Sequence, residues 1–346
     1  MRRLSPKSLT FHIDRRHKTM TSTAPPAPWR ALFLDHVNTT SNNGAEPMEF
    51  TLATLHPLPL PSSPSPPSPP AQTYVPRART CVFRGMFGTL PPNERNTAPR
   101  NREGVDSDMV AFTTDARMAK VPDFFGAAAP RAGTLGSGGG GPVEAVFWAP
   151  GRKGEGEGEG ERGKEVMTQW RIRGEAYVVG PDIEGGDEGP GEGERGREWG
   201  EEKLKRFLLS QMRDATGEGG EGFSFAREVT AHFGNLGPLM RGSFANPPPG
   251  TPISSEGTDD PAERVGRRVE DLHDPVARGN FRVVIIVPRE VDQVDLRDPQ
   301  RPRRWLYRRV RAEPGGGDDG LVGGEGKAKE AGRVRDGQWE KIEVWP

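Results

Sequence analysis

Two segments place basic side chains and hydroxyls at the ends of predicted strands. In the first, Arg79 and Arg84 are five residues apart, and strand residues separated by an odd number point to opposite faces unless a bulge intervenes. In the second, Thr113 and Thr114 end a strand, a short turn follows, and Lys120 comes after it. Hydroxyls, turn amides and a cation in this order can bind phosphate, because the first two orient the anion and the cation neutralises it.

A third segment alternates polar and apolar residues along a strand. Gln169, Arg171 and Arg173 share one face, and Trp170 and Ile172 share the other. A row of arginines is commonly a solvated face, so this pattern by itself favours no particular ligand. The pattern is informative only together with the other two segments, which precede it in the chain.

The sequence does not support a nucleotide-binding loop, a metal site or an intrachain disulfide. The glycine-rich run at 133–141 lacks the Lys-Ser/Thr pair of a phosphate-binding loop. The six histidines show no metal-site spacing, and His232 is predicted to lie on a helix surface. Cys81 is the single cysteine, which excludes an intrachain disulfide and a cysteine-based zinc site.

The segments with the most apolar residues are short, rich in β-branched and aromatic residues, and bounded by Gly or Pro. Strands are predicted at Glu49–Leu55, Arg79–Phe87, Met109–Thr114, Val143–Trp148, Met167–Val179, Phe281–Val287, Arg303–Arg311 and Gln338–Val344. The continuous apolar run Phe281–Val287 is typical of a strand buried on both faces. Helices are predicted at Trp29–Val37 and Glu201–Arg213. Many short strands with few helices indicate a mainly β protein with a closed or partly closed antiparallel barrel.

Glycine and proline are in excess: 46 Gly and 35 Pro make up about 23% of 346 residues. The excess is concentrated in low-complexity blocks, which we interpret as disordered insertions in the loops of one domain, 26–346, behind a disordered leader, 1–25. The blocks are 57–72, 91–104, 126–142, 151–164, 181–202, 214–222, 251–268 and 313–336. Residues 126–142 are predicted to be a flexible loop.

The charge balance and the hydropathy argue against two kinds of partner, nucleic acid and a membrane. There are 48 Lys and Arg against 49 Asp and Glu, so a strongly basic nucleic-acid binder is not indicated. No apolar run is long enough to cross a membrane. We expect a cytoplasmic protein; the basic leader leaves mitochondrial targeting as the alternative.

Taken in order, the three segments resemble the pyridoxamine 5'-phosphate oxidase-like FMN-binding split barrels, in the divergent branch of oxidase-like FMN-binding domains. The first strand, Thr51–Leu55, is similar to the family's Leu-Ala-Thr-Val strand. Arg79–Arg84, Phe112–Lys120 and Thr168–Gly174 follow the family's three cofactor segments in turn. The resemblance covers most of the chain outside the low-complexity blocks.

The resemblance implies an FMN-binding split β-barrel that forms homodimers with the flavin at the interface. In that case the FMN-binding residues would be Arg79, Thr113, Thr114, Lys120, Gln169 and Arg308. Arg84 and Arg304 would contact substrate. A substrate would pass hydride to the flavin, which dioxygen or another acceptor would reoxidise, so no catalytic triad is required.

The sequence departs from the family in the phosphate-binding turn before Lys120 and in the substrate site. Met118 and Ala119 stand where relatives commonly have Ser and Arg, and Leu306 stands where they have a substrate-binding His. We therefore expect an FMN-binding protein, most simply a flavin-dependent oxidoreductase, that acts on a small molecule other than the vitamin B6 substrate. A non-catalytic flavin- or tetrapyrrole-binding barrel, or an interaction protein, is the alternative.

Overall fold

The computed structural model describes residues 25–39, 48–58, 73–128, 136–150, 167–184, 201–214, 223–252, 265–310, 333–336 and 338–346. Most of the low-complexity blocks, and the leader 1–24, lie outside these residues. Eleven strands are described: β1 Glu49–Pro57, β2 Tyr74–Met86, β3 Val105–Ser107, β4 Val110–Asp115, β5 Gly138–Pro150, β6 Met167–Val179, β7 Met212–Asp214, β8 Phe281–Asp295, β9 Arg303–Arg309, β10 Arg333–Asp336 and β11 Trp339–Val344. The helices are α1 Arg30–Thr39, α2 Glu201–Ser210, α3 Phe225–Gly234, α4 Pro238–Ser243 and α5 Pro275–Asn280, with 3₁₀ segments at Pro122–Ala128 and Pro181–Glu184.

Six antiparallel strands close on themselves in the order β4-β2-β1-β5-β6-β8, because β8 pairs with both β6 and β4. Strands β9, β11 and β10 extend the sheet from the second half of β8. Strands β3 and β7 form a separate two-stranded sheet. This arrangement confirms the predicted mainly β class with few helices.

Strand β8 separates two hydrophobic cores. Val284 and Ile286 face the barrel interior, whereas Val283, Ile285 and Val287 face a second core formed with α2 and α3. Because both faces are covered, the strand reads as an unbroken apolar run, as its sequence predicted. The insertion between β6 and β8 therefore supplies a second layer of buried helices that the sequence showed only at α2.

The predicted flexible loop 126–142 differs from the structure at its C-terminal end. Gly138–Gly141 belong to β5 and run beside the backbone of the 3₁₀ segment Pro122–Ala128. A Cβ atom on Gly141 would lie 2.6 Å from the Asp123 carbonyl oxygen. These glycines are therefore required for close packing rather than for flexibility.

Other predicted insertions also include structured residues. Residues 91–104 pack against α3, where Asn96 Nδ2 donates to the Ala231 carbonyl at 2.9 Å and Asn101 Nδ2 donates to Glu228 Oε2 at 2.9 Å. Residues 181–184 form a 3₁₀ turn, and 333–336 form β10. The Asn side chains of 91–104 hold a compact loop through hydrogen bonds, which a composition count does not distinguish from disorder.

Candidate functional site

A buried carboxylate organises one end of the barrel. Asp123, at the start of the 3₁₀ segment, has a fully buried side chain. Its Oδ2 accepts from Thr54 Oγ1 at 2.6 Å and from Arg79 Nη2 at 3.2 Å, and its Oδ1 lies 2.7 Å from His56 Nδ1. Arg79 Nη1 also donates to Thr54 Oγ1 at 2.6 Å. Asp123 thus fixes the orientation of Arg79 within a compact polar cluster.

The local sequence explains how these groups meet. Leu52, Thr54 and His56 alternate with outward residues of β1, and the β1–β2 register places Arg79 opposite Leu52. Glycines of β5 let the backbone that carries Asp123 approach the sheet. Sequence analysis identified Arg79 but missed Thr54, His56 and Asp123, because their partnership depends on the packing of a segment about 70 residues away.

Lys120 lies in the turn between β4 and the 3₁₀ segment. Burial lowers the pKa of Lys120; the charges of Cys81 and Asp115 raise it and that of Arg79 lowers it. Among the described residues, no carboxylate forms an ion pair with its ammonium group, and the backbone N–H groups of Ala119 and Lys120 have no acceptor. A half-buried cation beside two open N–H groups fits an anion such as a phosphate.

The turn before Lys120 is held by the Asp115 and Arg117 side chains. Asp115 Oδ1 accepts from the Arg117 backbone N–H at 2.7 Å, and its carbonyl accepts from the Met118 N–H at 3.1 Å. The Arg117 side chain pairs with the same carboxylate, Nη2 to Oδ2 2.6 Å, and reaches the Asn246 carbonyl at 2.8 Å. Arg117 therefore braces the turn, and Lys120 is the cation of this segment that remains for a ligand.

The two predicted threonines diverge. Thr114 is buried on the barrel side of β4, in line with Phe112, whereas Thr113 is half-buried on the opposite face with Ala111. Phe112 pairs with Phe83 of β2, so two residues further along these strands Thr114 and Cys81 lie on neighbouring strands. Thr114 accordingly joins the Arg79 end of the barrel, and Thr113 does not. Burial raises the pKa of the Cys81 thiol.

Gln169 lies elsewhere, on the outer face of β6, and Arg304 and Arg308 lie on the outer face of β9. Arg304 makes a two-pronged ion pair with the buried Asp292, with nitrogen–oxygen distances of 2.9 and 2.8 Å. Arg308 Nε donates to Glu290 Oε2 at 2.9 Å. Within one chain these three residues are therefore separated from Arg79 and Lys120 by the wall of the barrel.

Arg84 lies apart from both the Arg79 end of the barrel and the outer face that carries Arg304 and Arg308. The register of β2 against β4 shifts between Phe83 and Met86, which is a bulge of the kind that the sequence left open. Arg79 lies before this bulge, and Arg84 points to a different side of β2. Arg84 faces a cavity bounded by α3 and α4 rather than the Arg79 end of the barrel. His232 also lines that cavity and is buried, which corrects its predicted place on a helix surface.

The described residues show no cluster of three or more His, Cys, Asp or Glu that could hold a metal ion. In the same part of the chain, each helix is too short or too polar to cross a bilayer.

Residues 26–155 match the family model described as pyridoxamine 5'-phosphate oxidase, FMN-binding domain. The matched segment, 130 of the 346 residues, is similar to that family. It includes Arg79, Arg84, Thr113, Thr114 and Lys120, and it confirms the resemblance seen in the sequence. The helical layer formed by α2, α3 and α4 follows the matched residues in the chain.

Two solved structures are similar to the chain. One is a pyridoxamine 5'-phosphate oxidase-related, FMN-binding protein from Nostoc punctiforme, with 18% identity, a TM-score of 0.46, and coverage of 93% of this chain and 100% of that one. The other is PhzG from Burkholderia lata, in complex with tetrahydrophenazine-1-carboxylic acid, with 13% identity, a TM-score of 0.38, and coverage of 94% and 95%. No curated protein matches the sequence.

Proposed function

We propose that the protein binds FMN and acts as a flavin-dependent oxidoreductase. The observation that carries the proposal is the family match over residues 26–155, which contains both Arg79 and Lys120. FMN, when bound, supplies the redox chemistry, and the protein supplies binding, orientation and electrostatics. The residues at the Arg79 end of the barrel fit that task, since they offer a cation that has no counterion among the described residues.

Lys120 is the proposed phosphate-binding residue. Its ammonium and the N–H groups of Ala119 and Lys120 would hold the phosphate oxygens, and Asp115 and Arg117 keep the turn in place. Arg79 adds positive charge beside Lys120 but shares it with Asp123. The family's hydroxyl and arginine in this turn are replaced by Met118 and Ala119, both exposed, so Lys120 carries a larger share of the binding.

We further propose that the flavin site is completed by a second copy of the chain. Gln169 and Arg308, implied by the resemblance to contact FMN, lie on the outer face and not beside Lys120. Two chains in a symmetric dimer would bring the outer face of one to the barrel end of the other. Sedimentation of the full chain tests this: a dimer supports the shared site, and a monomer that binds FMN with normal affinity overturns it.

Titration of the purified protein, stripped of flavin, with FMN and with riboflavin tests the cofactor. We expect Lys120→Met to weaken FMN binding about 10- to 100-fold, the range of a charge-assisted hydrogen bond, because the phosphate loses its cation. Riboflavin has no phosphate, so its affinity stays unchanged in the same variant. Arg206→Met, an exposed arginine on α2, is the matched control. Equal loss for both ligands, or no loss for either, contradicts the assignment.

The oxidoreductase step is tested by hydrogen peroxide production with pyridoxamine 5'-phosphate and with other amines and alcohols. Leu306 has no polar atom at the place where relatives bind the vitamin B6 substrate, so we expect a different substrate to be turned over. Binding of FMN with no turnover of any substrate supports the alternative, a non-catalytic flavin-binding barrel. The apolar Leu306 at the expected substrate site is the observation that favours this alternative.

A further inference from the structure

The Asp123 carboxylate is shared so that Arg79 contacts one of its oxygens. Oδ2 accepts from Thr54 Oγ1 at 2.6 Å and from Arg79 Nη2 at 3.2 Å, whereas Oδ1 lies 2.7 Å from His56 Nδ1. Because an ionised carboxylate only accepts hydrogen bonds, His56 Nδ1 carries its hydrogen and donates it to Oδ1. His56 therefore occupies the oxygen that Arg79 would need for a second contact.

Elsewhere in the described chain, arginine binds both oxygens of an aspartate that is open to it. Four pairs place one nitrogen on each carboxylate oxygen: Arg117–Asp115, Arg213–Asp108, Arg297–Asp295 and Arg304–Asp292. At Asp274 the Ala277 N–H holds Oδ1 at 2.9 Å, and Arg267 Nη2 contacts Oδ2 alone, at 2.6 Å. A donor on the second oxygen thus goes with a single arginine contact, as it does at Asp123.

The single contact leaves Arg79 with donors to spare. Of its five N–H bonds, the two on Nη1 point to Thr54 Oγ1 at 2.6 Å and to the Leu52 carbonyl at 3.4 Å, and one on Nη2 points to Asp123. The Nε–H and the second Nη2 hydrogen have no acceptor among the described residues. The side chain is 21% exposed, so a ligand can reach it.

These spare donors lie near the Lys120 turn. Burial lowers the pKa of Lys120, and the charge of Arg79 lowers it further, so the two cations are close enough to act on one anion. The Asp123 backbone N–H donates to the Lys120 carbonyl at 3.1 Å. The acid that His56 contacts and the proposed phosphate-binding lysine therefore belong to the same short segment.

We propose that His56 is a positioning residue for the phosphate site. By holding Asp123 Oδ1, it limits Arg79 to one contact with the carboxylate and leaves the remaining N–H donors of Arg79 for the phosphate held by Lys120. Without His56, Arg79 turns to both oxygens of Asp123 and the two form a closed pair. The inference rests on the proposed function, since the phosphate is that of FMN, and His56 acts through Arg79 alone.

Titration of flavin-free His56→Leu with FMN and with riboflavin tests this role. We expect FMN binding to weaken about 10-fold, the lower end of the range for a charge-assisted hydrogen bond, and riboflavin binding to stay unchanged. His56→Asn keeps an amide donor at the place of Nδ1 and should bind FMN as the wild type does. His273→Leu, at an exposed histidine, is the matched control.

A double substitution shows whether His56 acts through Arg79. In an Arg79→Met background, His56→Leu should cause no further loss of FMN affinity. A merely structural role would instead weaken FMN and riboflavin binding alike and would persist in that background, and either result overturns the proposal. If His56→Leu does not fold, His56→Ser takes its place with the same expected results.

The crystal structure of flavin-free His56→Leu tests the geometry without the cofactor. We expect nitrogen contacts from Arg79 to both Asp123 oxygens in this variant and to one in His56→Asn. A wild type that binds no FMN, together with two contacts in His56→Leu, overturns the proposed function but supports the restraint of Arg79 by His56. A single contact in His56→Leu, or FMN affinity equal to that of the wild type, overturns the role of His56.

Discussion

Arg79 and Asp123 form an ion pair at one end of the barrel, with Nη2 and Oδ2 3.2 Å apart, although 44 residues separate them in the sequence. Through this pair Arg79 stabilises the fold, in addition to lying near Lys120. The carboxylate also accepts the Thr54 hydroxyl hydrogen and contacts His56. One buried acid therefore determines the positions of three polar side chains beside the proposed phosphate site.

Asp123→Asn should lower the free energy of unfolding by about 3–5 kcal/mol, because it leaves Arg79 half-buried without its counterion. Urea denaturation measures the change. Glu103→Gln, at an exposed carboxylate with no ion pair among the described residues, is the control and should change stability by less than about 0.5 kcal/mol. Equal effects in the two variants would show that the Asp123 cluster contributes nothing specific.

The affinity for FMN should fall as pH rises through the pKa of Lys120. The protonated amine binds the phosphate, and burial has lowered its pKa, so the loss begins at a lower pH than for an ordinary lysine. Lys120→Arg should move the loss to higher pH, since arginine keeps its proton. Flavin fluorescence titrations between about pH 7 and 10 measure both. An identical pH profile in the two proteins would remove Lys120 from the site.

Gly141→Ala should destabilise the protein by about 1–3 kcal/mol, because the new Cβ atom would lie 2.6 Å from the Asp123 carbonyl and push the 3₁₀ segment away from β5. Thermal unfolding measures this loss. Gly279→Ala in α5, where a Cβ meets nothing within 4 Å, is the matched control and should be neutral or slightly stabilising. FMN affinity should fall in Gly141→Ala as well, since the displaced segment adjoins the Lys120 turn.

Glu228 should make stability pH-dependent. Burial raises its pKa, but the contact with His232 and hydrogen bonds from Asn101 and the Gly88 N–H more than offset this, so the net pKa is lowered. A lowered folded-state pKa means that the unfolded chain binds the proton more readily. The stabilisation is therefore present above the ordinary glutamate pKa of about 4.3 and lost as pH falls below it.

Comparison of the wild type with Glu228→Gln isolates this contribution. The variant should be less stable than the wild type at pH 7 by about 1–3 kcal/mol, and the difference should shrink toward pH 3. Urea denaturation at several pH values provides the measurement. A constant difference across that range would mean that the ionised carboxylate is not the stabilising species.

Arg304→Met should lower the free energy of unfolding by about 1–3 kcal/mol, because the fully buried Asp292 loses its two-pronged partner and, among the described residues, retains Arg171 at 3.9 Å. Arg303→Met, which removes a pair between exposed side chains, is the control and should cost well under 1 kcal/mol. Chemical denaturation of both variants provides the comparison, and equal stabilities would contradict the structural role of Arg304.

Local patterns were sufficient to predict the barrel strands. The β6 segment Met167–Val179 has the predicted bounds, and β8 begins at Phe281 as expected, because alternation and continuous apolar runs follow directly from which strand faces are buried. No bounds were predicted for α3, α4 and α5, although His232 of α3 was expected on a helix; α4 and α5 have only six residues each. Their stability comes from burial against β8, which no local pattern reports.

Residue types and their spacing were sufficient to predict the resemblance to the family, the strand pattern and the cations that could hold a phosphate. The tertiary structure alone decided which of those cations are available. It paired Arg79 with Asp123 and Arg304 with Asp292, and it left Lys120 and Arg84 without ionic partners among the described residues. The physical reason is that a charge is neutralised by whatever lies within a few ångströms, and those neighbours come from distant parts of the chain.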